Sequence, residues 1–173
     1  MPCSTIISSA MQPEDNPSDL PEGENLHFRA LERLYHSAPV NRLFSSDLAI
    51  MSPGISRLTF QIDESSYHAA GAAHGTIYFK MLDDAAFYAA NTLVSDKFLL
   101  TTSFNLHFTK PVRSGKVIAE GKWISGKRRV FVAESRLIDE EGDEIGRGTG
   151  TFMRSHIALS GLPGYAQDPQ AQG

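Results

Sequence analysis

From His74 to Thr92 the chain carries no proline and, after Gly75, no glycine, while Ala, Met, Leu and aromatic residues dominate. Beyond Thr92 the chain reads as strand and turn only. That asymmetry constrains the fold more than any other feature, because one long apolar helix has to be covered by the antiparallel sheet that comes after it. Phe104, Leu106 and Phe108 alternate with Asn105 and His107, Pro111 to Gly115 turns, and residues 116–124 alternate around Val117, Ala119 and Trp123. Gly126 marks another turn. Residues 129–138 carry Val130, Phe131, Val132, Leu137 and Ile138, and the acidic loop 139–143 leads into a last strand through Ile145, Thr149, Thr151 and Met153.

Upstream, Phe28, Leu31 and Tyr35 recur at helical spacing and Ala38-Pro39 stops them, which predicts a helix over 24–38. An extended segment at Asp47–Met51, the Ser52-Pro53-Gly54 turn and the alternation of Leu58, Phe60 and Ile62 predict a hairpin. The order gives an α+β architecture, an antiparallel β-sheet wrapped around one long central helix (74–92) with an extra N-terminal helix. Residues 1–23, rich in Pro, Ser and acids, are expected to form a flexible tail, and 157–173 a second one. Residues 24–156 are expected to be a single domain.

At 173 residues and 41% hydrophobic, the chain can bury a core without metal or disulfide, and its one cysteine, Cys3, has no partner in the chain. The net charge of −4, without a Lys/Arg block, gives no electrostatic reason to hold a phosphate backbone, so nucleic acid is not an expected partner. Residues 1–25 lack the basic and apolar stretches of a secretion signal, and no run reaches the ~20 apolar residues that span a bilayer. The expected location is the cytoplasm, away from membranes.

The central helix carries two adjacent carboxylates that differ in setting. At about 100° per residue with Ile77 at zero, apolar and small residues cover an arc from about 0° to about 220°. Asp84 falls near 340°, close to Lys80, and an i,i+4 ion pair accounts for it. Asp83 falls near 240°, between Ala90 and Phe87, where burial raises a carboxyl pKa towards the range of a general base or nucleophile. A hydrogen-bonded core Asp would read the same way from periodicity alone. At the helix start, His74-Gly75 follows the small residues Ala69-Ala70-Gly71-Ala72-Ala73, and the first-turn N–H groups have no intrahelical acceptor. The Gly75 N–H is placed to polarise a carbonyl and hold its oxyanion. His68, His74 and Asp83 do not fit a common helical ligand spacing such as His-x-x-x-His, so no metal is expected. A Gly-x-Ser-x-Gly elbow is absent and Cys3 lies in the tail.

The segment from His74 to Phe87 resembles the motif of hotdog-fold acyl-CoA thioesterases, in the branch similar to phenylacetate-degradation thioesterases. The resemblance spans about residues 45–154, including Phe108-Thr109-Lys110-Pro111-Val112, the turn Gly126-Lys127-Arg128-Arg129 and the ending Gly148-Thr149-Gly150-Thr151-Phe152. It implies that Asp83 activates water or attacks the thioester, that the Gly75 N–H polarises the carbonyl, and that free acid and CoA leave. Coenzyme A is then part of the substrate, and no separate cofactor is implied. The family's second glycine is Thr76 here, and the position often held by Asn is His68. His68 is a candidate to orient water or the carbonyl, and His74 to cap the helix while touching substrate. Thr76, Thr101, Thr102 and Phe87 are candidate substrate-binding residues, and Arg128 and Arg129 are candidates to hold the CoA phosphates. The resemblance also implies a pocket between two subunits, in a homodimer or a dimer of dimers (homotetramer). Two rivals remain on sequence grounds, a non-catalytic acyl-CoA-binding hotdog protein and a hotdog hydratase or dehydratase.

Overall fold

The computed structural model describes residues 22–166. Helix α1 (Glu22–Ser37) leads through a 3-10 turn at Pro39–Leu43 into the hairpin β1 (Ser46–Ser52) and β2 (Ile55–Ile62). The long helix α2 (Gly75–Asn91) follows, and after it β3 (Lys97–Phe108), β4 (Gly115–Ser125), β5 (Val130–Ile138) and β6 (Glu144–Ala158). All six strands join one antiparallel sheet in the order β1-β2-β4-β5-β6-β3. The helix, placed in sequence between the two hairpin strands and the four that complete the sheet, lies across it, with Met81, Leu82, Ala85, Ala86, Ala89 and Ala90 fully buried.

Small residues let helix and sheet approach closely. A Cβ on Gly121, in β4, would overlap the carbonyl oxygen of Ala85. Two sheet hydroxyls reach the same helix face: Ser56 donates to the Ala85 carbonyl at 2.6 Å and Ser135 to the Leu82 carbonyl at 2.7 Å. Each bond fixes the rotation of α2 about its axis, and thereby which side chains face the seam with β3.

The two sheet edges differ. At β1, α1 lies alongside, and Glu32 accepts the Ile50 N–H at 2.8 Å. At the other edge, β3 has no strand beyond it among the described residues. The register of β3 against β6 slips between Thr101 and Ser103. A bulge there turns consecutive side chains to one side of the strand, so that Thr101 faces α2 and so do Phe104 and Phe108.

Two expectations need correction. The strand after the central helix starts at Lys97 rather than near Thr101, because its register slips hide the alternation from a period-two reading. Residues 157–166, expected to open a tail, are ordered: β6 runs to Ala158, a 3-10 turn spans Leu159–Gly161, and α3 (Pro163–Ala166) packs on α1. Leu159 and Gly164 are buried, and a Cβ on Gly164 would overlap the Ser37 side chain. The buried His27 ring lies 3.1 Å from the Asn91 carbonyl oxygen and 2.8 Å from the Tyr165 hydroxyl, joining α1, α2 and α3. Of the tails expected at 1–23 and 157–173, residues 1–21 and 167–173 lie outside the described residues, and Glu22 and Gly23 belong to α1.

Candidate active site

Helix α2 starts where His74, extended at φ −68° and ψ 146°, turns its ring back onto the first turn. Its Nδ1 accepts the Thr76 N–H at 3.1 Å and lies 3.0 Å from the Thr76 hydroxyl, while the Ile77 N–H donates to the His74 carbonyl at 2.9 Å. The cap leaves the Gly75 N–H without an acceptor among the described residues, at the end of the helix where the backbone dipoles are positive. The helix start is pinned from outside: the Ala73 N–H donates to the Val112 carbonyl and the His74 N–H to the Ser66 carbonyl, both at 2.8 Å. The Tyr78 hydroxyl donates to the Lys110 carbonyl and accepts the Val112 N–H, both at 3.0 Å.

Two turns further on, the Asp83 carboxylate accepts from the Thr101 hydroxyl, with Oγ1 3.1 Å from Oδ1 and 3.4 Å from Oδ2. Burial pushes its pKa up from 3.8 to about 6; the Thr101 hydroxyl holds it back, Asp84 adds to the rise and Lys80 opposes it. The neighbouring Asp84 pairs with Lys80, whose ammonium lies 5.0 Å from the Tyr35 ring centroid and 5.3 Å from that of Phe44. The helix phase thus separates the two carboxylates by neighbours: one meets a cation under α1, and the other a neutral hydroxyl at the sheet edge.

Along the seam between α2 and β3 the contacts form a ladder. A Cβ on Gly75 would lie 3.2 Å from the Phe108 ring; Phe79 meets Phe104 edge-on at 5.8 Å; Asp83 meets Thr101; Phe87 meets Phe98 at 5.1 Å. The Phe104 ring lies over Gly148 and Gly150 of β6, where a Cβ on Gly150 would come within 2.7 Å and one on Gly148 closer still. Sequence alternation marks Phe104 only as a strand residue. The signal for its role is the run Gly146-x-Gly148-x-Gly150, which clears one face of β6 for a neighbouring ring.

The other candidates divide. Thr76 has its N–H and hydroxyl at the His74 cap, and His74 itself serves as that cap. Thr102 is the extra residue of the β3 bulge, and its hydroxyl donates to the Thr151 carbonyl at 3.0 Å. Phe87, expected at the substrate, is 7% exposed and packed against Tyr88, Phe98 and Phe152, so within this chain it closes the core end of the seam. His68 sits exposed in the loop before α2, accepting the Ala70 N–H on Nδ1 at 3.0 Å, with no hydrogen bond to Asp83 or Thr101. Arg128 and Arg129 are exposed in the β4–β5 turn, in no ion pair among the described residues. The Arg129 carbonyl accepts the Arg154 N–H at 2.9 Å, and Arg154 pairs with Leu99, so this turn lies level with the start of β3. No group of three His, Cys, Asp or Glu side chains is gathered for a metal among the described residues, and no helix there is long and apolar enough to cross a membrane.

The sequence pattern of the family described as "Thioesterase superfamily" matches residues 70–145, a segment holding Gly75, Asp83 and Thr101. Over that segment, somewhat under half of its length, the chain is similar to the thioesterase superfamily. Its architecture is the hotdog fold, shared with the Escherichia coli PaaI protein from the phenylacetic acid degradation operon at a TM-score of 0.71 and 14% identity, over 78% of this chain and 97% of that one. A thioesterase from Haemophilus influenzae aligns at a TM-score of 0.64 and 21% identity, over 75% of this chain and 89% of that one. A thioesterase family protein from Silicibacter pomeroyi aligns at 0.65 and 23%, over 72% and 97%. At these identities the likeness is one of fold. In sequence, a protein of Saccharolobus solfataricus whose name proposes an esterase is 29% identical over 103 residues, 60% of this hotdog chain and 69% of that protein.

Proposed function

We propose that this protein is an acyl-CoA thioesterase acting as a homodimer, with Asp83 as general base or nucleophile and the Gly75 N–H as oxyanion donor. The observation that carries the reading is the Asp83 carboxyl itself, with a pKa raised to about 6 and a hydroxyl to orient it. Above that pH the carboxylate is free to take a proton from a water attacking the thioester carbonyl, or to attack the carbon directly. The tetrahedral oxyanion is held by an N–H that needs no rearrangement to donate. Collapse of the intermediate expels the CoA thiolate, which takes up a proton; where water attacked, the free acid leaves, and where the carboxylate attacked, a mixed anhydride on Asp83 remains until a water hydrolyses it to the free acid and restores the carboxylate.

Gly75 and Asp83 lie eight residues apart on one straight helix, about 12 Å along its axis. One thioester carbonyl does not reach both. A second copy, its helix running the other way, brings its own Gly75 to Asp83, which is why the reading requires a dimer. The edges favour one mode of pairing, since α1 lies along β1 while no strand lies beyond β3 among the described residues. Arg128 and Arg129, level with the start of β3, are the side chains assigned to the CoA phosphates.

The test is release of free thiol from short, medium, long and aromatic acyl-CoAs by the purified protein, with Asp83→Asn in parallel. Hydrolysis of a subset, lost in Asp83→Asn while acyl-CoA still binds, supports the reading and names the acyl class. Silence from both proteins despite binding would replace it with a binding protein.

A further inference from the structure

We infer that Phe79 lies on the two-fold axis of the dimer, facing its own copy, and is the positioning residue that fixes how far one central helix slides along the other. The inference rests on the thioesterase reading with its shared site. If a two-fold operation carries Gly75 of one copy to Asp83 of the other, it carries Asp83 to Gly75 as well, because such an interface is isologous. The residue midway, four from each, then meets itself. On α2 that residue is Phe79. On β3, counted independently, Phe108 stands at Gly75 and Thr101 at Asp83, and the residue between them that touches Phe79 is Phe104. Helix and strand give the same centre.

The chemistry at that centre suits an anchor between copies. Phe79 on α2 is 43% exposed, and Phe108 on β3, at the Gly75 end of the same seam, 55%, a large apolar cost for a seam left in water. Phe104 cannot sink to admit Phe79, because its ring already rests on Gly148 and Gly150. It therefore props the Phe79 ring outward. On either side of the ring pair the charges are complementary, since each copy offers a helix N-terminus with a free N–H to the other's carboxylate. A slip by one helical turn, about 5.4 Å, would break both contacts at once, and two aromatic rings meeting at the axis oppose that slip. Phe79 touches no reacting atom; it sets the distance between the groups that do.

In a Cys3→Ser background, Phe79→Cys places two thiols at the axis, and mild oxidation is expected to give a covalent dimer on a non-reducing gel. Thr76→Cys, whose copies would lie about 9 Å apart along the axis, is expected to stay uncrosslinked, because a disulfide needs Cβ atoms about 4 Å apart. With thioester substrates, Phe79→Ala is expected to lower kcat roughly 10-fold or more with a smaller change in KM, and Phe79→Leu to recover most of it. No crosslink at Phe79→Cys, in a protein whose parent hydrolyses thioesters through Asp83, overturns the axis and leaves the thioesterase reading standing. A crosslink in a protein that hydrolyses none of them keeps the axis and removes the thioesterase. Full kcat in Phe79→Ala overturns the positioning role.

Discussion

If the oxyanion donor and the carboxylate come from different copies, two inactive variants should repair one another. Asp83→Asn removes the base. The donor is removed most cleanly by Gly75→Pro, because Gly75 is the first helical residue, where proline's fixed φ suits the helix and the lost N–H has no helical acceptor. His74, extended at φ −68° and ψ 146°, already has the backbone that a residue before proline prefers. The ring would press on Phe108, which a Cβ at Gly75 approaches to 3.2 Å, so a small outward shift of that exposed side chain is needed. Each variant alone should fall to roughly 1% of wild-type turnover or lower, given losses of about 10²–10³ for an oxyanion donor and about 10²–10⁴ for a base. Coexpressed in equal amounts, half of the dimers are mixed. Each mixed dimer has one site with both groups and one with neither, so turnover should recover to about a quarter of wild type in the mixture and to about half in the isolated mixed dimers. The assay is thiol release from the preferred acyl-CoA after isolating differently tagged pairs. Recovery no higher than the parents would refute the argument from helix length and place both groups of a working site in one chain.

Other consequences can be measured separately. Turnover should rise with pH through about 6 and level above it, following ionisation of Asp83; Thr101→Ala, which removes the hydroxyl that favours the charged form, should move that rise to higher pH, and an unmoved profile would dissociate Thr101 from the base. Because the folded pKa lies above the unfolded value, ionised Asp83 costs stability: the cost is absent below about pH 4, grows as pH climbs, and is complete above about 6. Asp83→Asn should therefore be more stable than wild type by about 1–3 kcal/mol at pH 8, with the gap closing at pH 4, read as chemical denaturation midpoints. Gly121→Ala should destabilise by about 3 kcal/mol or more, because its methyl would collide with the helix backbone at Ala85 rather than with a side chain that can swing away; a melting temperature within a few degrees of wild type would show that α2 can lift off the sheet.

Much of this was legible in the sequence where the cause was local. The phase of α2 separated Asp83 from Asp84, and the i,i+4 partner Lys80 was visible on paper. The bare amide at Gly75 followed from its place beside a capping histidine. What escaped depends on residues far apart in the chain. Phe79 and Phe87 lie one turn either side of Asp83, and nothing in the helix says that Phe98 and Phe152 cover one while the other stands open. The bulge that aims Thr101 at Asp83 and turns Thr102 to the backbone is a slip of pairing with β6, not a property of β3 alone. The small residues Gly121, Ser56 and Ser135 matter because α2 lies against them, and the ordered segment after Ala158 because α1 gives it a surface.

The hydrogen bond from Ile50 to Glu32 bears on how assembly stops. In the language of polymer chemistry, a sheet with two open edges is a bifunctional monomer: every addition leaves another end to react, and the product is a fibre of undefined length. Among the described residues α1 lies along one edge, so if copies pair through the other, as proposed, the protomer is monofunctional and its valence is exhausted at a degree of polymerisation of two. On that reading Glu32 is a chain terminator carried by every copy, and its loss is expected to change the product of association before it changes the chemistry of the site.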